Sequence, residues 1–446
     1  MKSMKLAARP IVTLKPTLSL IDTIAIIVGI VVGASIFQTP SLVAANAGSV
    51  EIALLTWGLG GVISLIGALC YAEMATTYPH PGGTYYYLRK GLGSGVAFLF
   101  AWTRMSVIQT GSIALLGFVF GDYASQMLRL GNYSSSIYAA IAIVLLTGLN
   151  LLGVRQSKQT QTVLAIAQVI GLIVICAVGL LGVSSDSVSS INAATNTTST
   201  TSSNLGLVMV FVLLSYGGWN EAAYVSAEVR DGKTNIVRAL VWSIAIITTL
   251  YLLVNLALIR GLGISGMSAS QAVVADLMRL NMGEIGAIIT SLLVAITTFC
   301  SLNATILTGA RANYALGRDF SIFAFLGRGY ESTPANALIV EGAIALVLVM
   351  VGTFARQGFE TMVDYTAPAF WFFFLLSGIS LFVLRRREPN IHRSFKVPLY
   401  PLTPLVFCGV CLYMLQASLA YTGWGGLLGV IVVLFGLPLL WWAQKK

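Results

Sequence analysis

Ile26-Ile27-Val28-Gly29-Ile30-Val31-Val32-Gly33-Ala34-Ser35-Ile36-Phe37, closed by Pro40, is the stretch that decides the fold, and Val212-Leu213-Leu214-Ser215-Tyr216-Gly217-Gly218-Trp219-Asn220-Glu221 repeats its lesson. Each lies inside an apolar run, and each carries small residues where a lipid-facing helix favours bulky ones. A helix interrupted at membrane depth frees backbone groups, which must line a cavity or find other partners. Two interruptions at matching places in a chain are the sequence sign of a secondary transporter's binding site. Taken singly, each segment reads equally well as close helix packing through small residues, as the Gly29/Gly33 spacing illustrates.

Composition sets the same frame. The chain has 446 residues, 57% hydrophobic and 9% charged, with a mean hydropathy of +0.86. A soluble domain carries about 25% charged residues, so a polytopic membrane protein is expected. The first apolar run follows a basic, Pro-containing segment without a convincing cleavage site and is read as a retained span. The five cysteines (Cys70, Cys176, Cys300, Cys408 and Cys411) all fall in apolar stretches. Cys408 and Cys411 imitate a redox or zinc pair but have no His or acidic neighbours, so all five read as small buried hydrophobes. His80 and His392 are loop residues, and no metal, cofactor, phosphate-loop or nucleophile pattern forms.

With about 20 apolar residues per span, twelve spans are predicted: 20–44, 52–77, 94–120, 136–153, 160–183, 205–228, 237–262, 285–310, 336–354, 363–384, 403–421 and 426–443. Twenty-one of the 26 Lys and Arg residues fall in the termini and alternate loops, four in the opposite loops, and Arg104 within the third span. This bias predicts cytoplasmic termini, and it explains the net charge of +10 without nucleic acid. The Ser/Thr/Asn-rich loop 184–204 reads as a flexible non-cytoplasmic linker; its Asn196-Thr197-Thr198, like Asn132-Tyr133-Ser134, fits the glycosylation pattern. Residues 264–282 are expected as a short outer surface helix, and 78–92 as a re-entrant or interfacial inner loop.

Four ordered stretches then carry a resemblance that covers nearly the whole chain. They are Gly33-Ala34-Ser35-Ile36-Phe37-Gln38-Thr39-Pro40; Tyr71-Ala72-Glu73-Met74 with Pro81-Gly82-Gly83-Thr84-Tyr85; Tyr216-Gly217-Gly218-Trp219-Asn220 with Glu228; and Arg393-Ser394-Phe395-Lys396-Val397-Pro398-Leu399-Tyr400-Pro401. The chain resembles the amino acid–polyamine–organocation transporters, most of all the L-type amino acid transporter and bacterial amino-acid exchanger branch. The resemblance implies an all-α protein with a five-plus-five inverted repeat, discontinuous first and sixth helices and two added C-terminal helices. On that pattern 1–19 is a cytoplasmic segment, 20–183 and 205–384 are the repeats joined by 184–204, 385–402 is a cytoplasmic loop, and 403–446 holds the last two helices and a short tail. It also implies alternating access around a central site between spans 1, 3, 6, 8 and 10, and a multi-pass location in a bacterial inner membrane.

An amino-acid zwitterion at mid-membrane needs donors for its carboxylate and acceptors for its ammonium, and the two ends of a broken helix supply both. By resemblance, the N–H groups of Ala34 and Ser35 would take the carboxylate, and the carbonyls of Val31, Leu214 and Gly217 the ammonium. Gly33, Ile36, Ser215 and Ile108 complete the expected substrate-binding set, with Val107 beside Ile108 as a pocket residue. Glu221 and Glu73 are candidates for proton transfer or gating, since charges inside a membrane are costly and usually functional; an ion pair or hydrogen bond is the structural alternative for each. Glu228 reads as a boundary residue paired with Arg230 or Lys233. Arg104 needs a partner, with Glu73, Glu221 and backbone carbonyls all open. Asn303 and Thr305 are candidate ion ligands or helix–helix hydrogen-bonding groups.

This sequence also departs from the family pattern. Gly33-Ala34-Ser35 stands where relatives often carry Gly-Ser-Gly, Leu214 stands where many exchangers carry an aromatic gate, and no lysine occupies the region of Gln168. Residues 121–135 contain no cysteine, so the disulfide that joins L-type relatives to a heavy chain cannot form. The expected activity is transport of neutral or small L-amino acids, by exchange or by proton-coupled symport, with H+ and Na+ both open as coupling ions. The rivals are a non-transporting amino-acid receptor and a polyamine or cationic amino-acid permease.

Overall fold

The computed structural model describes residues 18–153, 158–182, 204–328, 334–355, 358–421 and 423–445. The N-terminal segment 1–17, Arg155, the bulk of the 184–204 linker with Asn196-Thr197-Thr198, and Arg356 lie outside the described residues. Among those described the protein is all helical, with nine helices long and apolar enough to cross a membrane. These are α3 (Val50–Thr77), the run Ser94–Met127 made of α5 (Ser94–Thr103), a π-helical segment (Arg104–Gln109) and α6 (Thr110–Met127), then α7 (Ser134–Leu151), α11 (Gly232–Ala269), α12 (Val273–Asp319), α13 (Ala335–Phe354), α14 (Gly358–Arg387), α15 (Leu402–Tyr421) and α16 (Trp424–Lys445). Shorter apolar stretches are α1 (Leu20–Val31), Ile166–Leu181 within α8 (Lys158–Leu181), and α9 (Leu205–Ser215). The remaining helices, α2 (Thr39–Ala47), α4 (Gly83–Leu92) and α10 (Ala222–Val225), are short.

Lipid is the outer solvent, and the exposed faces say so: Leu55 is 70% exposed, and Ile141, Val144, Ile289 and Leu434 also point outward. Between helices no hydrophobic driving force acts in a bilayer, so close backbone approach has to supply dispersion contacts. Gly121 of α6 abuts the backbone of Ser135 on α7, and Gly429 of α16 the backbone of Tyr365 on α14. A Cβ at either position would collide with main chain.

Both quoted segments break as read. α1 begins in a capping box, where the Ser19 hydroxyl accepts from the Asp22 amide at 3.2 Å and the Asp22 carboxylate from the Ser19 amide at 3.0 Å. It ends at Val31; Ala34–Phe37 form a 3-10 turn, and α2 resumes with Pro40 in its first turn. In the second segment α9 ends at Ser215, and Gly218 takes φ +111°, a conformation that favours glycine. The 3-10 turn Trp219–Glu221 then leads into α10. The two broken helices are joined at their bases: Leu18 N–H donates to the Glu228 carbonyl at 3.0 Å and Arg230 N–H to the Leu18 carbonyl at 2.9 Å.

Tyr251 of α11 closes the account of the breaks. Its hydroxyl lies 2.9 Å from the carbonyl of Val31 and 2.9 Å from that of Ser215, so one buried donor serves the frayed C-terminal ends of both α1 and α9. Trp57 packs edge-on against it at 5.4 Å, Tyr216 at 5.1 Å, and the Tyr216 hydroxyl donates to the Trp57 carbonyl at 2.9 Å.

Two expectations are corrected. Residues 78–92 do not form an interfacial loop: Gly83–Leu92 is the helix α4, with Tyr87 wholly buried against Tyr71 rather than at headgroup level. Residues 264–282 do not form one surface helix. Gly263 (φ +67°) and Gly283 (φ +70°) bend the chain on either side, and between them two short helical pieces flank Ser270. Val273, Val274, Ala275 and Leu277 of the second piece are buried, so it packs into the bundle.

At the end of the bundle that carries the Arg-rich 385–402 loop, Glu73 is 1% exposed and fully engaged. Arg385 grips it with Nε at 2.7 Å and Nη2 at 2.5 Å, the Val397 amide donates at 2.7 Å, and Arg393 lies at 3.5 Å. Nearby, hydrogen bonds from Tyr78 (2.7 Å) and Lys90 (2.9 Å) hold the Glu388 carboxyl below the usual carboxylate range.

Two predictions follow from these contacts. Tyr251→Phe leaves two buried carbonyls short of a donor and should cost about 1–3 kcal/mol, read as a lower apparent melting temperature of the purified protein. Arg385→Ala strands a buried carboxylate and should cost about 3 kcal/mol, while Arg385→Lys should recover part of that loss in the same assay.

Candidate functional site

The two breaks face one cavity of about 460 Å³. Its walls come from α1 and the 3-10 turn after it, from α3, from the π segment and α6, from the second break, from α12 and from α14. Of the residues singled out in the sequence, Val31, Gly33, Ala34, Ser35, Ile108, Leu214, Gly217, Glu221 and Thr305 line it together. Ile36 and Ser215 do not: both are buried behind the breaks, and the Ser215 carbonyl is taken by Tyr251. Val107 is likewise buried away from the cavity. Glu73 lies in its own cluster at the basic end. Asn303 does not line the cavity either, and its Oδ1 accepts from Asn150 Nδ2 at 2.7 Å.

The backbone at the first break offers donors. Gly33 is the N-cap of the 3-10 turn and no side chain caps it, so the N–H groups that open the turn lack intrahelical partners. The acceptors are partly engaged. The Val31 carbonyl accepts from Gly33 N–H at 2.6 Å and shares the single Tyr251 hydroxyl proton with the Ser215 carbonyl. The Leu214 carbonyl accepts from the Gly217 amide at 2.9 Å and also from the Tyr216 amide. Gly217 sits tightly over it: a Cβ there would lie 2.9 Å from that oxygen.

Arg104 finds its partner in this cavity. Its Nη2 stands 3.6 Å from Glu221 and its guanidinium 4.6 Å above the Tyr224 ring, while Asn220 Nδ2 donates to Glu221 at 3.3 Å. The π segment makes this possible, since it rotates the helix so that Arg104, Ile108 and Gln109 all reach the cavity wall. The Ser106 carbonyl within the segment is satisfied from two sides, by the hydroxyls of Tyr365 (2.8 Å) and Thr110 (2.9 Å). Gln109 Nε2 donates to the Thr305 carbonyl at 2.8 Å, tying this segment to α12.

The opposite wall is aromatic. Trp219 stacks on Phe374 at 5.6 Å, with Phe370 and Trp371 beside them. One side of the cavity thus offers backbone donors and acceptors with a self-neutralising ion pair, and the other an apolar face. A second hollow, lined by Phe120, Leu292, Phe299 and neighbours, is apolar throughout and has nothing to hold a zwitterion.

Sequence reading missed the π segment, Tyr251, Gln109 and the aromatic wall. It also missed Glu341, which is fully buried in α13. An acidic residue within an apolar span was the available signal for that last one.

Comparison with known proteins agrees with this architecture. Residues 18–441 match the amino acid permease family. The chain is 30% identical over 434 residues to the b(0,+)-type amino acid transporter 1 of Mus musculus, spanning 95% of this chain and 87% of that protein. It is 27% identical over 433 residues to the cystine/glutamate transporter of Homo sapiens, spanning 96% and 85%. Identity to the large neutral amino acids transporter small subunit 2 of Mus musculus is 28% over 449 residues, spanning 97% and 83%. The chain therefore belongs to the amino acid permease family, and is a multi-pass membrane transporter rather than an enzyme.

Proposed function

We propose that this permease moves neutral L-amino acids by alternating access, holding the substrate's backbone groups at the two helix breaks. The observation that carries the reading is that both breaks open on one cavity. The substrate carboxylate lies at the Ala34 and Ser35 N–H groups. Its ammonium meets the carbonyls of Leu214 and Gly217, since Tyr251 turns toward that of Val31. The side chain faces Ile108, Leu214, Phe370 and Trp371, which favours apolar groups. Pairing of Arg104 with Glu221 leaves this space without net charge, which argues against cationic substrates and polyamines. A relative named for large neutral amino acids supports the same substrate class.

We read the nine long apolar helices together with α1, α8 and α9 as twelve spans, arranged as inverted repeats over 20–183 and 205–384 with two further helices over 403–446. The Lys/Arg distribution puts both termini on the cytoplasmic side, in keeping with a bacterial inner-membrane protein. With no cysteine in 121–135, the chain works without a disulfide-linked heavy chain.

The test is uptake of a labelled amino-acid panel into proteoliposomes, with and without internal amino acid. Uptake of neutral members is the expected result; binding without movement under any condition overturns the transport reading in favour of a receptor. Gly217→Val crowds the Leu214 carbonyl and should lower substrate affinity at least about tenfold, or about 1.4 kcal/mol, in protein that remains monodisperse. Unchanged affinity would move the site away from the breaks.

A further inference from the structure

Glu341 of α13 is 0% exposed, and neither of its carboxyl oxygens has a hydrogen-bond partner. Its position is built rather than incidental. Glu341 Oε1 occupies the space where a side chain would begin at Gly309 of α12, so glycine at that position makes room for the carboxyl. The stem of Gln109 meets the same spot, 2.6 Å from where that Cβ would stand. Gln109 lines the cavity and Glu341 does not, so the carboxyl stands one layer behind the cavity wall.

Among the described residues, Arg104 on the π segment is the charged group that acts on this carboxyl. Of the other elements packed against α13, α12 carries Asp276, Arg279 and Glu284, paired with one another, and an exposed Arg311, while α6 and α14 carry carboxyls with partners of their own. Asp122 of α6 is bonded to Ser135 of α7, Asp364 of α14 accepts from the Gly423 amide, and Glu360 of α14 acts with Asp364. A single guanidinium therefore bears on two carboxyls: Glu221, 3.6 Å away and facing the cavity, and Glu341, enclosed by protein. A bare carboxylate enclosed without a partner is costly. Position 341 thus has two arrangements: a neutral acid that needs no counter-charge, or a carboxylate that draws Arg104 toward itself.

We propose that Glu341 is a proton-binding site whose occupancy, relayed by Arg104, controls amino-acid binding in the cavity. This rests on the permease reading above and deepens it. A hydronium ion in the cavity gives its proton to a Glu341 oxygen; an O–H bond forms there, one O–H bond of hydronium breaks, water remains, and no electrons are transferred. Rotation of Gln109 opens the path. With the proton bound, Arg104 stays on Glu221 and the cavity holds a balanced pair beside a net-neutral substrate. With the proton lost, Arg104 turns toward Glu341, and Glu221 is left as an uncompensated charge in the substrate space. Neutral amino acids then bind best to the protonated protein, and by linkage their binding draws a proton in.

The experiment measures affinity for a neutral amino acid across acid to alkaline media, using the full chain in detergent, alongside counterflow exchange in proteoliposomes. Wild type should bind about tenfold more weakly in alkaline medium, within the range typical of coupled sites. Glu341→Gln, which mimics the neutral acid, should keep the acid-medium affinity throughout. An undiminished pH dependence in Glu341→Gln overturns the proposal while exchange itself persists; absence of both binding and exchange in wild type at every pH would instead overturn the permease reading. Should Glu341→Gln fail to fold, wild-type protein gives the answer with dicyclohexylcarbodiimide, to which a protonated carboxyl in apolar surroundings adds, rearranging to a stable N-acylurea. Peptide mass spectrometry should place the adduct on Glu341 in acid medium and find less of it in alkaline medium. No adduct there, or one indifferent to pH, overturns the proposal. Replacing sodium by potassium throughout should change nothing, and a sodium requirement for the pH effect counts against a proton site.

Discussion

A backbone carbonyl at the end of a helix inside a bilayer has no water to turn to, and two such ends meet at the centre of this protein. The Tyr251 hydroxyl answers both, reaching Val31 and Ser215 from a third helix. That constraint organises the neighbourhood. Trp57 and Tyr216 pack around the phenol, and the Tyr216 hydroxyl in turn satisfies the Trp57 carbonyl. The turn that opens at Ala34, with Leu214 and Gly217, lines the cavity instead.

The same logic recurs in the π segment. Widening a helix by one residue misaligns its ladder, yet Tyr365 and Thr110 donate to the Ser106 carbonyl. The return is register: Arg104, Ile108 and Gln109 come round to the cavity together. Charge follows the same economy, with Arg104 held by Glu221 and the Tyr224 ring.

How much of this was legible in the sequence depends on the distance over which each feature is determined. The breaks were legible because small residues and Pro40 punctuate otherwise apolar runs, a local signal. The all-helical membrane class followed from composition. The role of Glu73 was not, because its partners Arg385 and Val397 lie at the far end of the chain. The π segment leaves no mark in composition, and Tyr251 looks like any tyrosine in an apolar span. The turns at Gly263 and Gly283 carried a local signal, since both take positive φ, but glycine is so common here that two more did not stand out.

The pairing of Leu18 with Glu228 and Arg230 has a mechanical consequence. The two hydrogen bonds fasten the base of one broken helix to the base of the other. Neither base can swing outward alone without rupturing both bonds. A displacement of one broken helix is therefore handed to the other, and through both to the cavity that the breaks face.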